Sequence, residues 1–334
     1  MATIYEVSKL AGVSLATVSR VMNGNSKVRP ATKEKVLAAI KELDYRPSSA
    51  AQSLASSQSN SVGILVSELH GPYFGSMMSE IEATLRAAGK HVIIIPGHSD
   101  KEAEKDAIKF LLDRDCDALI LHVEALSDTE VLDLSAKSKA LFIYINRLID
   151  TAEDRSIILN NRLGGYLATQ HLTSRGHKNI GYISGPLWKA DATDRLAGHM
   201  KALSEIGIHD HDTHMVEGTF REESGFESMQ KLLADFPEMT ATVCGNDEMA
   251  AGAMRAIREA GLSIPDDISL VGFDNIIFTR FMFPTLTTLH APIGDMGKMA
   301  AQMVLRDYYK IDQDQSIQLQ FDPHLVQRNS VRDL

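Results

Sequence analysis

Leu15, Ala16, Thr17 and Arg20 share the outward face of a short helical run, with Val18 and Val21 directed inward. One arginine among small and apolar neighbours makes a face of mixed size, the kind that enters a groove of duplex DNA. The elements that must hold it are legible on either side. Thr3 with Glu6 is a Thr-x-x-Glu capping box that starts a helix at about Ile4, and Val7, Leu10 and Ala11 supply its apolar side. Gly12 ends that helix in the left-handed conformation glycine adopts freely, and Ser14 caps the next one. Two helices of an ordinary bundle would share this spacing. The next segment argues for a closed headpiece instead. Pro30 suits a first helical position, and Val36, Ile40 and Leu43 recur at i, i+4, i+7, which makes a third helix to Leu43.

Charge supports the division. Residues 1–60 carry eight basic and four acidic side chains, a net +4 in a chain of −10 overall. A basic module on an acidic body fits phosphate contact at one end only. With 334 residues and 44% hydrophobic content, the chain suits a headpiece and a two-lobed core. No stretch reaches bilayer length and no secretory leader is evident, so a cytoplasmic protein with no membrane contact is expected. Cys116 and Cys244 have no metal or redox spacing and read as reduced core thiols. His209, His211 and His214 with Asp210 and Asp212 read as a solvated loop rather than a metal tract. Neither a Gly-x-Gly-x-x-Gly turn nor a phosphate-cradling loop is present, so no cofactor is expected. No nucleophile elbow or paired-carboxylate motif appears either, and an enzyme is the least favoured class. The methionines, Met77, Met78, Met296 and Met299 among them, are expected to fill core and dimer-interface gaps.

Residues 48–55 can form about two helical turns, marginal in isolation, so this hinge orders only when something contacts it. From Ser61 apolar runs alternate with helices. Strands are expected at 62–66, 91–95, 118–122, 141–145, 180–184, 215–217, 241–244 and 268–271, with further ones around 318–326. Helices are expected at 74–88, 102–113, 163–175, 193–206, 224–234 and 248–260. The fold class is α/β: a three-helix helix-turn-helix headpiece, then a two-lobed periplasmic-binding-protein-like core of doubly wound parallel sheets. The expected boundaries are 1–45 for the headpiece, 46–60 for hinge and linker, and 61–334 for the core. Within the core one lobe takes about 61–160 and 290–318, the other about 161–289 and 319–334. Ligands of such sheets bind at the carboxyl ends of the strands.

Helix-turn-helix, hinge and two-lobed core, in that order, resemble the lactose/galactose repressor (LacI/GalR) family of bacterial transcription regulators over essentially the whole chain. The string Ala11-Gly-Val-Ser-Leu-Ala-Thr-Val-Ser-Arg-Val21 carries the likeness most specifically. Tyr45-Arg46-Pro47, Pro72-Tyr73-Phe74, Asn146-Arg147, Arg175-Gly176-His177 and Asp194-Arg195-Leu196-Ala197-Gly198 extend it. Asn246-Asp247, Val271-Gly272-Phe273-Asp274 and Pro284-Thr285-Leu286-Thr287-Thr288 complete it, and galactose- and β-glucoside-type repressors look nearest.

The resemblance implies that Leu15 and Ala16 take the variable recognition positions and Arg20 the base-contacting one. The two apolar side chains can only touch thymine methyls or exclude bases by shape, whereas a guanidinium can grip guanine O6 and N7 together. Thr3, Ser14, Thr17 and Asn23 look like phosphate contacts, and Tyr5 either another or a packed ring. In the family a leucine at the position of Leu54 wedges into the minor groove, kinking a central step, with Ala51 and Gln52 lining the groove. Packing of Leu54 on its own headpiece is the alternative. A homodimer implies a pseudo-palindromic double-stranded operator, and no leucine-heptad tail suggests a tetramer.

On the core side the resemblance places Ser67, Arg195, Asn246 and Asp274 around an interlobe cleft suited to a small sugar. Arg195 could instead be a structural partner of Asp191 or Asp194. Phe220 stands where the lactose-responsive member has a stacking aromatic. Tyr73 and Phe74 either close the pocket or pack in the core. Two departures appear: Tyr144 replaces an acid at a strand end, and Asn275 follows Asp274 where many relatives have a second Asp. Asn146, Asn160 and Asn161 are further amide candidates. The expected function is a repressor of carbohydrate-utilisation genes, released when a sugar repositions the lobes and separates the hinges. A purine corepressor, a phosphoprotein partner, or a sugar receptor without DNA function are the alternatives.

Overall fold

A computed structural model describes residues 2–22, 28–45, 58–209, 214–312 and 316–334. The chain divides into two compact units, 1–60 and 61–334. Asn23, the hinge residues Ala51, Gln52 and Leu54, and the loop residues Asp210, His211 and Asp212 lie outside the described residues.

The first unit holds helices α1 (Ile4–Ala11), α2 (Leu15–Met22) and α3 (Pro30–Glu42). The capping box forms as its sequence demands: the Glu6 amide donates to Thr3 Oγ1 at 3.4 Å, and the Thr3 amide to Glu6 Oε2 at 2.7 Å. Gly12 ends α1 at φ 66°. Val7, Ala11, Val18, Val21, Val36 and Ala39 close a small core. Leu10 does not join it and is 47% exposed. Ile4, Val7 and Ala11 set the buried seam, and Leu10 falls on the far side of Val7, away from the helices that cover it.

The second unit contains two six-stranded sheets. One is built from β1 (Ser61–Val66), β2 (His91–Pro96), β3 (Ala118–Leu121), β4 (Leu141–Ile145), β5 (Ser156–Leu159) and β11 (Gln320–Phe321), in the order β11-β5-β4-β3-β1-β2. The other uses β6 (Ile180–Ser184), β7 (His214–Glu217), β8 (Ala241–Cys244), β9 (Ser269–Asp274), β10 (Thr287–His290) and β12 (His324–Val326), ordered β12-β10-β9-β8-β6-β7. All pairings are parallel except β10 with β12. Continuous runs such as Ile64-Leu65-Val66 and Ala118-Leu-Ile-Leu121 are buried on both faces, which only helix-covered parallel sheets require.

The helices are α4 (Pro72–Ala87), α5 (Lys101–Asp113), α6 (Asp128–Ala136), α7 (Asn161–Thr173), α8 (Ala190–Ser204), α9 (Glu222–Asp235), α10 (Asp247–Glu259) and α11 (Ile293–Asp307). Of these, α6 and α11, like β5 and β10, are absent from the sequence-derived expectation. Ser127-x-x-Glu130 is a second capping box that announces α6, and Ile293, Met296, Ala300 and Val304 give α11 a helical stripe. Met77 of α4 and Met296 of α11 are fully buried in the first lobe. Both cysteines are buried and free, and burial pushes the Cys116 thiol up to about 11.

The chain passes between lobes three times: at Leu159–Asn161, His290–Ile293 and Phe321–His324. The last passage corrects the expected division after residue 318, because Gln320 and Phe321 pair with β5 and remain in the first lobe.

Candidate functional site

Six non-glycine residues with left-handed φ lie at carboxyl ends of strands facing the cleft between the sheets. His98 and Ser99 follow β2, Asn146 follows β4, Phe220 follows β7, and Asp274 and Asn275 end β9. Each costs about 1–3 kcal/mol in backbone strain, and such strain persists where it aims side chains. Phe220, at φ 65°, is the sharpest instance. The tip of its ring abuts Gly185, where any Cβ would run into it, and the Asn246 amide holds its carbonyl at 3.0 Å.

Arg195 is the fixed centre of the second lobe's wall. Its Nε donates to Asn161 Oδ1 at 2.9 Å and its Nη1 to the Gly245 carbonyl at 2.6 Å, while the guanidinium lies 3.7 Å over the Phe273 ring. Helix α8 is drawn against α7 because Gly165 and Gly198 leave no side chain between the backbones, which sets the Arg195–Asn161 distance. Asp274 sits 3.7 Å from Arg195, and Asp191 4.0 Å from it. Burial raises the Asp274 carboxyl well above its ordinary range, against the pull of Arg195. Its Oδ1 is buried and accepts no hydrogen bond.

The opposite wall comes from β1, β3 and the start of α4. Ser67 donates to Glu124 Oε2 at 2.9 Å and meets His122 Nδ1 at 3.2 Å. Phe74 stands edge-on to His122 at 5.2 Å, with Tyr73 beside it. Burial, with Asp274 adding, raises the Tyr73 phenol.

Two ion pairs bridge the walls. Lys189, just before α8, donates to Glu124 Oε2 at 2.8 Å and to Ser99 Oγ at 3.1 Å. Burial raises the Glu124 carboxyl, but His122, Lys189 and Ser99 outweigh it and hold it below the ordinary range. Arg221 pairs with Glu68 and His70 across the mouth, and with Glu248 at 3.8 Å. The enclosed space, open mouth included, is about 620 Å³.

Of the sequence-derived candidates, Ser67, Tyr73, Phe74, Arg195, Phe220, Asn246 and Asp274 line the cleft. Tyr144 does not: β4 alternates, so Phe142 and Tyr144 enter the core under α5 and α6 while Ile143 and Ile145 face the other layer. Asn146 also stays behind the wall, accepting from Asn161 Nδ2 at 3.2 Å, and so supports the residue that holds Arg195. Asn160 caps α7 through the Leu163 amide at 3.1 Å and donates to Asp322 at 3.0 Å, which ties two interlobe passages together. Asp191 is within reach of Arg195, and Asp194 forms no such pair among the described residues. Glu68, His70, Glu124, Lys189, Thr219, Arg221 and Glu248 also line the cleft and were not anticipated. All seven follow a strand's carboxyl end by two to five residues, a signal that strand boundaries give only once the β-ends are placed.

In the headpiece Ala16 and Arg20 are exposed and Leu15 and Thr17 half-buried at the start of α2. Ser14 Oγ lies 2.9 Å from Thr17 Oγ1 and accepts from the Thr17 amide at 3.3 Å. Tyr5 is 69% exposed, so its ring is outside the headpiece core. No helix among the described residues is long and apolar enough to cross a membrane.

Residues 3–48 match the family model for bacterial regulatory proteins of the lacI family, and residues 59–324 the one for periplasmic binding proteins and the sugar-binding domain of the LacI family. The chain is 37% identical over 333 residues to the HTH-type transcriptional regulator GalR of Escherichia coli K12, covering 99% of this chain and 96% of that one. It is also 37% identical over 336 residues to the HTH-type transcriptional repressor PurR of Mannheimia succiniciproducens, covering both chains fully. A crystal structure of the Lac repressor dimer bound to operator and an anti-inducer superposes with a TM-score of 0.87 at 32% identity, over 99% of each chain.

Proposed function

Because the chain belongs to the LacI family of bacterial regulatory proteins and is a sequence-specific DNA-binding transcription regulator, not an enzyme, we propose that an uncharged sugar in the interlobe cleft controls it. The observation that carries this reading is the charge balance of the lining. Each cation is already within ion-pair reach of a carboxylate: Lys189 of Glu124, Arg195 of Asp191, Arg221 of Glu68. No cation is left to compensate a phosphate or carboxylate on the ligand. What the cleft offers is hydroxyl chemistry. Asp274 Oδ1 is a buried acceptor awaiting a donor, Arg195 is a rigid donor beside it, and Phe220 presents a ring face.

Arg20, with Leu15 and Ala16, reads the operator, and Thr3, Tyr5, Ser14, Thr17 and Asn23 meet phosphates. Leu54, with Ala51 and Gln52, enters the minor groove at the centre of a pseudo-palindromic site. The protein acts as a homodimer. Ile277, Phe278, Phe281 and Phe283, between β9 and β10, are 48%, 58%, 75% and 85% exposed, an apolar patch that a second copy would cover. Ligand acts by favouring one lobe arrangement, and the hinges of the two copies then lose their joint support.

Calorimetric titration of the full chain with hexoses, hexose phosphates and purine bases tests the effector class. The reading expects an uncharged sugar to bind and Asp274→Asn or Arg195→Ala to weaken it at least tenfold. Preference for a phosphorylated sugar, or binding of a purine alone, would overturn it.

A further inference from the structure

Rings and cations alternate from the buried Phe273, past the cleft-lining Arg195, Phe220 and Lys189, to the exposed Trp188. The Arg195 guanidinium lies 3.7 Å over Phe273 and 5.7 Å from the centre of Phe220. The Lys189 ammonium lies 5.8 Å from Phe220 and 5.3 Å from the centre of Trp188. Burial falls along the series, from Phe273 at 2% exposed to Trp188 at 58%. Trp188 is the only tryptophan in the chain.

The turn that carries Trp188 is pinned although its ring is open. The Lys189 amide donates to the Pro186 carbonyl at 2.9 Å, the Leu187 amide to Glu217 Oε1 at 3.0 Å, and Thr193 Oγ1 to the Leu187 carbonyl at 2.8 Å. A fixed backbone therefore presents a large apolar face to water next to Lys189, which lines the polar cleft. Tryptophan has a broad face suited to sugar and aryl rings, and leaving it uncovered forgoes that contact. Leu69, 54% exposed, stands in the chain between Glu68 and His70, which line the cleft from the other lobe. Lys189 spends two of its three donors on Glu124 and Ser99, which leaves one N–H on an ammonium 5.8 Å and 5.3 Å from the two ring centres.

We propose that Trp188 is the platform of an outer subsite, and that the effector is an uncharged glycoside of two rings. The inner sugar lies over Phe220 beside Asp274 and Arg195. The second ring, a sugar or an aryl aglycone, stacks on Trp188, with Lys189 donating to the oxygen that joins them. This rests on the uncharged-sugar reading of the cleft.

The test is calorimetry on the full chain with glucose and galactose, their phenyl β-glycosides, cellobiose and lactose. Two-ring ligands should bind about tenfold tighter than the corresponding monosaccharide. Trp188→Ala should bring that ratio close to one, Trp188→Phe should keep most of it, and Trp188 emission should shift only with two-ring ligands. Equal affinity for one and two rings, or a ratio that survives Trp188→Ala, overturns the outer subsite while the sugar reading stands. Failure of every carbohydrate to bind overturns both.

Discussion

Removing the Glu124–Lys189 pair should loosen the hold of one lobe on the other by an amount the geometry bounds. The two charges lie 2.8 Å apart, with side chains only 12% and 14% exposed. At an effective dielectric near 20, that separation gives about 6 kcal/mol of gross attraction. Desolvation of two shielded charges removes several kcal/mol, which leaves a net coupling of about 2 kcal/mol, above the roughly 0–1 of exposed pairs. A double-mutant cycle with Glu124→Gln, Lys189→Met and the double variant isolates this term, because glutamine keeps an oxygen for Ser67 and Ser99. Urea unfolding of the core, followed by circular dichroism, supplies the four stabilities. The pair joins the walls of the cleft we propose as the effector site, so the same coupling should weaken effector binding by about 30-fold in Glu124→Gln. A coupling below about 0.5 kcal/mol, or unchanged effector affinity, would refute the bridging role.

Other outcomes follow from single contacts. Gly185→Ala puts a Cβ into the Phe220 ring, and overpacking of about 1–3 kcal/mol should cost the effector roughly 5- to 150-fold in calorimetric affinity. Normal affinity in that variant would mean Phe220 does not shape the site. Thr3→Ala removes the α1 cap and should destabilise the headpiece by about 1 kcal/mol, read by amide exchange in α1. Exchange rates equal to wild type would contradict this. His199 and His171 are held neutral by burial, with values lowered to about 3 and about 4. Their folded values lie below the ordinary 6.5, so the stability they support is complete above pH 6.5 and declines as pH falls toward 4. Each should add a slope of about 1.4 kcal/mol per pH unit in that window, and His199→Gln should remove one increment. A slope unaffected by that substitution would count against the assignment.

Local chemistry made the headpiece legible. Thr3, Glu6, Gly12 and Ser14 act on neighbours a few residues away, so spacing alone fixes their roles. Leu10 escaped because side-of-helix periodicity does not say how far round the covering helices reach. The buried strands were legible from their apolar runs, whereas β10, a short Thr-Thr-Leu-His segment with little apolar run, was not. In the cleft, Arg195, Phe220 and Asp274 came from the family likeness. Glu124, Lys189 and Arg221 did not, because their meaning depends on partners 65 and 153 positions away, joined only when the lobes fold. Tyr144 failed for a simpler reason: a strand end has two faces, and the pleat put this side chain on the wrong one.

The most direct measurement is fluorescence anisotropy of labelled DNA from the chain's own upstream region, titrated with protein and then with uncharged glycosides. Binding should be tight and salt-sensitive, and Arg20→Ala should weaken it. One glycoside should release the DNA, an effect lost in Arg195→Ala while DNA affinity is kept. Operator affinity indifferent to every glycoside, or release that persists in Arg195→Ala, would contradict control through the cleft.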